Sequence, residues 1–475
     1  ETIGGFLFYP SKYSNVTSGY FSVCFFITFP TFPAMRTMSD TTDTSADAEP
    51  FKVEKLSSRF DTDITLPGSK SIALRQLAIA ALCDGTTELR GIPACDDSAA
   101  MLDCIAALGA RVTKHQEHIT VKGPIDFSNR TIKLDARMSG ASTRLLIGLA
   151  ALRSGNTLID GHESLRARTN KPLLRLLEAQ GCSVTSDDGH LPVTIRGPIR
   201  PTTTLQIDGS LSSQYITALL IAAPGYSSGS TQTIEITGEL VSKPYIDITL
   251  NEMHKRGVQA EWIDEHRLQV PPANYQDGSV SVEGDATAAT YFAALATLHS
   301  SRITLTNLGR DSRQGDYGFL SVMEILGASV ERDTTTRITG PAQVAELSYI
   351  DMQAMPDAAL TLIAMATLLP EPIHIVGLSS LHHKECDRLE CPAKELTDMG
   401  VALSTSYDSI RIQPTPVHKL KSHTLTTYHD HRMAMAFSLL GSFSGSLSID
   451  DKRVVDKTYP NFWQDYERLI ASTRS

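Results

Sequence analysis

Ala107-Leu108-Gly109-Ala110-Arg111-Val112 is a helix-ending phrase whose shape returns four times along the chain. The other copies are Ala179-Gln180-Gly181-Cys182-Ser183-Val184, Lys255-Arg256-Gly257-Val258, Leu326-Gly327-Ala328-Ser329-Val330 and Met399-Gly400-Val401-Ala402-Leu403. Their glycines stand 72, 76, 70 and 73 residues apart. In each copy an amphipathic stretch stops at a glycine suited to a left-handed C-cap, and a strand-like run follows at once. A second shared piece lies upstream of each helix, a β-like run at residues 87–91, 157–161, 233–238, 303–307 and 373–377. A truncated sixth copy at 447–450 precedes a closing helix around 462–470. Six related units imply two pseudo-symmetric α/β halves of three, and the period is too long for tetratricopeptide or ankyrin arrays.

Outward from the first unit, Pro67-Gly68-Ser69-Lys70-Ser71, with Arg75 four residues on, follows a strand-like run and opens an apolar-periodic helix expected to reach its C′ at Gly85. Ser69 reads as its N-cap. Free N–H groups, the helix dipole and the Lys70 ammonium would converge there on a phosphate or carboxylate. An ordinary capped, solvated helix start is the competing reading, whereas a nucleotide P-loop lacks its second glycine.

Composition sets the class. The 475 residues are 41% apolar and 20% charged with a net charge of −10, a balance that fits a globular enzyme and disfavours nucleic acid or an anionic membrane as partner. Seven cysteines (24, 83, 95, 104, 182, 386 and 391) with no Cys-x-x-Cys support neither a zinc site nor a disulfide framework. Residues 1–50 stand apart as a non-core extension. They carry an aromatic run at 21–29 too short to span a membrane, then Ser/Thr/Asp-rich sequence. The run reads as a signal-peptide core, a plastid transit segment, or, preferred, sequence upstream of a start at Met35 or Met38.

Polar clusters recur in the loops and helix starts of the six units. They include Ser139-Gly140-Ala141-Ser142-Thr143-Arg144, Arg166-Ala167-Arg168, Ser212-Ser213-Gln214-Tyr215 and Ser242-Lys243-Pro244-Tyr245 in the first half. In the second half stand Pro356-Asp357, Lys384-Glu385-Cys386-Asp387-Arg388, Asp430-His431-Arg432-Met433-Ala434-Met435 and Lys457-Thr458-Tyr459-Pro460. In this order, from about Val53 to Leu469, they closely resemble the 5-enolpyruvylshikimate-3-phosphate synthase family, the 3-phosphoshikimate 1-carboxyvinyltransferases.

The resemblance implies a two-domain inside-out α/β barrel of six βαβαββ repeats, three per domain. The first domain would comprise residues 51–69 plus 285–475 and the second 70–284, with crossings near Lys70 and Gly284-Asp285. It implies transfer of enolpyruvyl from phosphoenolpyruvate to the 5-hydroxyl of shikimate 3-phosphate, without cofactor or metal, by a cytoplasmic monomer. Lys70, Ser71, Arg75, Ser212, Ser213, Gln214, Ser242, Tyr245, Asp357 and Lys384 would hold shikimate 3-phosphate. Lys70, Gly140, Arg168, Gln214, Arg388, Arg432 and Lys457 would hold phosphoenolpyruvate. Asp357 would act as base, and Glu385 as the acid toward the methylene carbon, with a pKa shifted toward working pH. Lys70 would assist between both substrates, and His431 would orient the network.

Some positions depart from the family pattern. Ala73-Leu74 replaces a common Ser-Asn, Met138-Ser139-Gly140-Ala141 replaces Asn-Ala-Gly-Thr, and Ser380 stands where an asparagine is usual. The Arg-Pro that would align Arg168 reads Arg168-Thr169, so Arg166 competes for its place. Arg144 reads as a surface arginine that supports the fold. Two other functions stay in view: a sister transferase acting on UDP-N-acetylglucosamine, which usually has Lys-Asn where this chain has Lys70-Ser71, and a decayed, non-catalytic anion-binding copy.

Overall fold

The five repeated glycines all have positive φ: 111° at Gly109, 88° at Gly181, 83° at Gly257, 96° at Gly327 and 92° at Gly400. The residue after each donates its N–H to a carbonyl five positions back, Ala110 to Ile105, Cys182 to Leu177, Val258 to Met253, Ala328 to Met323 and Val401 to Leu396. This satisfies carbonyls that a helix end leaves open, and only glycine takes that backbone without a Cβ penalty. The computed structural model describes residues 49–226 and 229–473, so the readings on the N-terminal aromatic run and Cys24 lie outside the described residues.

Among the described residues the strands form five four-stranded sheets and one three-stranded sheet. In the second unit Ile132–Asp135 and Thr157–Asp160 pair in parallel, and His190–Arg196 and Ser183–Asp187 follow antiparallel. Between the strands stand two kinds of helix. Those that end in the repeated glycines keep a partly exposed face, as in Lys171–Ala179, which buries Leu173, Leu174, Leu176 and Leu177. The others are buried nearly all round: Lys70–Leu82, Gly140–Ala150 and Ser213–Ala222 in one group, Ala286–Leu298, Pro356–Ala366 and His431–Ser444 in the other. A helix apolar on every side belongs in a core. Within each group the three pack on one another. Gly148 permits one such approach, since a Cβ there would lie 2.8 Å from the Ala218 carbonyl oxygen. Helices inside and sheets outside make this the inside-out α/β barrel that the sequence led us to expect.

The apolar residues form two large cores, one from residues 53–66 and 286–470 and one from residues 74–280. Each core closes one sheet with its own strands at the passages: Asp61–Ile64 pairs in parallel with Arg302–Leu305 across the whole second core in sequence, while Gly278–Ser281 pairs in parallel with Thr86–Arg90, the last strand of the second core with its first.

The two passages are bonded side by side. Gly68 and Gly284 form an antiparallel bridge, Ser69 N–H donates to the Glu283 carbonyl at 2.7 Å, and Asp285 N–H donates to Pro67 at 2.9 Å. Ser69 occupies the expected N-cap position, but its hydroxyl makes no cap bond. Asp285 serves instead. One oxygen accepts from Ala288 N–H of its own helix at 3.0 Å and the other from Lys70 N–H at 3.2 Å, so a single carboxylate serves the first turns of two helices. Gly85 is not the helix C′ either. The helix stops at Leu82 because Cys83 is already extended (ψ 136°) and returns its N–H to Ile79 and Ala80.

The narrowest point of the first passage is Gly68, where a Cβ would lie 1.7 Å from the Gly91 carbonyl oxygen. Backbone cannot yield there as a side chain would. Gly68→Ala is expected to cost about 3 kcal/mol, read as a lower urea midpoint at unchanged m-value.

Candidate active site

Five of the six buried helices present their first residues to one cavity of about 690 Å³. Lys70, Gly140, Ser213, Asp357 and Arg432 stand at those helix starts, and residues of both cores line the walls. Several converging helix N-termini give a positive field before any side chain is counted.

The second core supplies one wall. Lys70 Nζ pairs at 3.0 Å with Asp97, which is almost wholly buried and keeps one carboxylate oxygen without a partner. Burial alone would lower the Lys70 pKa, but Asp97 and Glu385 outweigh it and the net shift is upward. Arg75 is tied to the Ser71 and Tyr245 carbonyls and to the Thr217 and Thr249 hydroxyls, and burial pulls it down to about 10. Ser71, Ser212, Ser213, Gln214 and Ser242 all line the cavity. Ser242 is held at φ 56°, a conformation that turns the chain before the Pro244–His254 helix.

Gly140 starts its helix between two guanidiniums. A Cβ there would fall 2.5 Å from Arg168 Nη1 and 2.7 Å from Arg144 Nη1. The register question is thereby answered: Arg168 lines the cavity, whereas Arg166 is exposed and bonded to Asp160. The expectation for Arg144 is corrected, because it is only 3% exposed and also lines the cavity. It donates to the Gly140 and Thr169 carbonyls at 3.0 Å each, and its Nε has no partner. Burial, then the charge of Arg168, brings it down to about 10.

The first core supplies the denser network. Asp357 accepts from Lys384 Nζ at 3.0 Å, Arg388 Nη1 at 3.0 Å, Arg432 Nη2 at 3.1 Å and, from across the cavity, the Tyr245 hydroxyl at 3.1 Å. Glu385 accepts from Arg388 Nη2 at 2.7 Å and Lys457 Nζ at 3.3 Å. Arg388 is completed by Asp430, which also caps the His431–Ser444 helix through Arg432 N–H. Burial pushes both acids up, but the cations prevail and hold Asp357 and Glu385 well below the carboxylate range. Glu385, expected to titrate near working pH, is here held ionised by the cations around it.

Two expected residues lie off the cavity wall. Lys457 does not line it but reaches Glu385 from behind. His431 is fully buried, neither ring nitrogen has a partner, and Asp430 at 3.6 Å is too distant for a hydrogen bond. Burial, then Arg432 and Lys70, depresses its pKa far below the usual value, so the ring is neutral. Sequence reasoning passed over Asp97 and Asp316, and it quoted Asp430 only as part of a motif, without a role of its own. Asp316 is buried, bonded to Thr287 and close in charge to Asp357, and burial raises it to about 7.

That shift has a sign. The native Asp316 keeps its proton between the unfolded value near 3.8 and about 7. Its contribution to stability is complete below the lower value and is lost as pH rises through the upper one. Asp316→Asn is expected to flatten this slope, so that from pH 5 to pH 8 the wild-type Tm falls by about 5 °C more than the variant's. Parallel Tm curves would contradict it.

With that geometry in hand, comparison with known proteins gives a consistent result. The model of the EPSP synthase family (3-phosphoshikimate 1-carboxyvinyltransferase) matches residues 55–466. A 3-phosphoshikimate 1-carboxyvinyltransferase of Aliivibrio fischeri is 35% identical over 423 residues, covering 87% of this chain and 97% of its own. A 3-phosphoshikimate 1-carboxyvinyltransferase 2 of Halalkalibacterium halodurans is 34% identical over 429 residues, covering 89% and 95%. Among solved structures, an EPSP synthase from Acinetobacter baumannii matches with TM-score 0.71 at 21% identity over 89% of this chain and 98% of its own. The enolpyruvyl transferase NikO from Streptomyces tendae matches with TM-score 0.69 at 16% identity over 89% and 98%. These two share the fold; the sequence matches go further, and the chain belongs to the EPSP synthase family of 3-phosphoshikimate 1-carboxyvinyltransferases.

Proposed function

We propose that this chain joins phosphoenolpyruvate to the 5-hydroxyl of shikimate 3-phosphate and releases inorganic phosphate. The observation that carries the reading is a cavity lined by Lys70, Arg75, Arg144, Arg168, Lys384, Arg388 and Arg432, toward which five helix starts converge. The two substrates together bring about six negative charges at neutral pH. Guanidinium forks match both phosphate and carboxylate. Shikimate 3-phosphate would lie against Ser71, Arg75, Ser212, Ser213, Ser242, Tyr245 and Lys384, with Lys70 and Gln214 between both substrates. Phosphoenolpyruvate would lie against Gly140, Arg168, Arg388, Arg432 and Lys457.

Atom balance assigns the two acids. The attacking hydroxyl must lose a proton while the vinyl methylene carbon gains one; expulsion of phosphate then needs that carbon to lose a proton again. Asp357, ionised and fixed by three cations and Tyr245, suits the first task. Glu385 suits the second once substrate anions occupy Arg388, Lys457, Arg168 and Lys70, because those charges alone hold its pKa down. Neutral His431 supports the network by packing rather than by charge. We place the two domains at residues 51–69 plus 285–475 and at 70–284, supported by the two cores and the paired passages. We read the enzyme as a cytoplasmic monomer, as the resemblance to its family implies. Among the described residues no helix is long and apolar enough to cross a membrane.

Phosphate release from phosphoenolpyruvate should require shikimate 3-phosphate. Glu385→Gln should slow it roughly 10²- to 10⁴-fold and Lys70→Ala should abolish it. Release with UDP-N-acetylglucosamine as acceptor, or none with either acceptor, would overturn the reading. Ser380 lines the cavity with a shorter side chain than asparagine. Ser380→Asn should lower the KM for shikimate 3-phosphate about 3- to 10-fold by restoring one hydrogen bond. An unchanged KM would show that the site does not miss that contact.

A further inference from the structure

Arg388 and Arg432 reach Asp357 from different elements. Arg388 stands just before the Glu390–Asp398 helix, and Arg432 in the first turn of the His431–Ser444 helix. Something must fix these elements to each other. The turn that delivers Arg432 is unusual in its backbone, because Tyr428 and His429 are consecutive non-glycine residues at φ 53° and 57°. Such a pair is costly for residues with a Cβ and persists only where its surroundings over-determine it.

The surroundings centre on Glu395, a carboxylate on the first of these helices that is 1% exposed. Its Oε1 accepts from the Tyr428 hydroxyl at 2.6 Å. Its Oε2 contacts His423 Nε2 at 2.6 Å and accepts from Thr426 N–H at 3.1 Å. Both oxygens are thus engaged, and every partner belongs to the segment 423–428 that leads into the strained turn. On the far side of the turn Asp430 accepts Arg432 N–H at 2.9 Å and Arg388 Nε at 2.7 Å. Glu395 thus holds Tyr428, and two residues on along the chain Asp430 holds both the Arg388 guanidinium and the backbone N–H that starts the Arg432 turn. Lys394 and Asp398 on the helix of Glu395 pair with each other outside these bonds.

We propose that Glu395, acting through Tyr428 and His423, is a positioning residue that sets the spacing of the Arg388 and Arg432 guanidiniums and thereby the affinity for phosphoenolpyruvate. The inference rests on the placement of phosphoenolpyruvate between those arginines. It adds residues that touch neither substrate and lie behind the cavity.

Tyr428→Phe removes one hydroxyl and keeps the ring, so it is the cleaner variant; Glu395→Gln is the second. Both should raise the KM for phosphoenolpyruvate about 10-fold while the KM for shikimate 3-phosphate changes less than about 2-fold, since small misplacements of binding groups are felt strongly at a reacting centre. Amide hydrogen exchange over residues 426–432 should quicken in parallel. A lowered Tm with both KM values unchanged would overturn the proposal and leave Glu395 a purely structural residue. Equal rises in both KM values would also overturn it, since general loosening has no side. If wild-type protein releases no phosphate from the two substrates, the functional reading fails instead, and the exchange measurement still reports whether Glu395 holds the turn.

Discussion

Charges buried in this cleft need partners before any substrate arrives. An isolated ion in a dry site costs several kcal/mol, and a pair repays that only when its hydrogen bonds are complete. Asp357 takes three cations and a phenol, Glu385 takes two cations, and Asp430 and Asp97 complete Arg388 and Lys70. In the proposed reaction, substrate phosphates and carboxylates would replace protein carboxylates as partners of these same cations. The cations hold Glu385 ionised, so its pKa would follow what else they hold.

That exchange needs cations from both cores at fixed separation. The paired passages at Gly68 and Gly284 provide the fixed point, and Asp285 binds the first turns of the Lys70 and Ala286 helices in one carboxylate. Within each core, a parallel strand pair joins the two flanks of the passages, Asp61–Ile64 to Arg302–Leu305 and Gly278–Ser281 to Thr86–Arg90. With the buried helices grouped in threes, five of their six N-terminal ends share one cavity. Tyr245 bonding to Asp357 already bridges it.

Much of this was legible in the sequence because it is local. A glycine that must take positive φ after a helix declares itself, and all five did. Motifs in loops and at helix starts singled out Lys70, Gly140, Asp357, Glu385, Arg388 and Arg432, which all line one cavity. What escaped was long-range or electrostatic. No periodicity shows that Gly278–Ser281 pairs with Thr86–Arg90, nor that Asp285 rather than Ser69 would serve the Lys70 helix. Arg144 reads as a surface residue until Arg168 is found beside it, and Asp316 stands in a polar stretch with no hint of burial. The ionisation of Glu385 depends on four cations drawn from four separate segments, a sum that no single motif contains.

The central claim is that substrate anions take over the partners of Glu385 and so raise its pKa. Proton uptake on binding tests it most directly. Calorimetry would be run in buffers of different ionisation enthalpy, with shikimate 3-phosphate and an unreactive phosphoenolpyruvate analogue at neutral pH, on wild type and Glu385→Gln. The account predicts that wild type takes up more protons than the variant, by a difference approaching one per site. Equal uptake by the two proteins would contradict it.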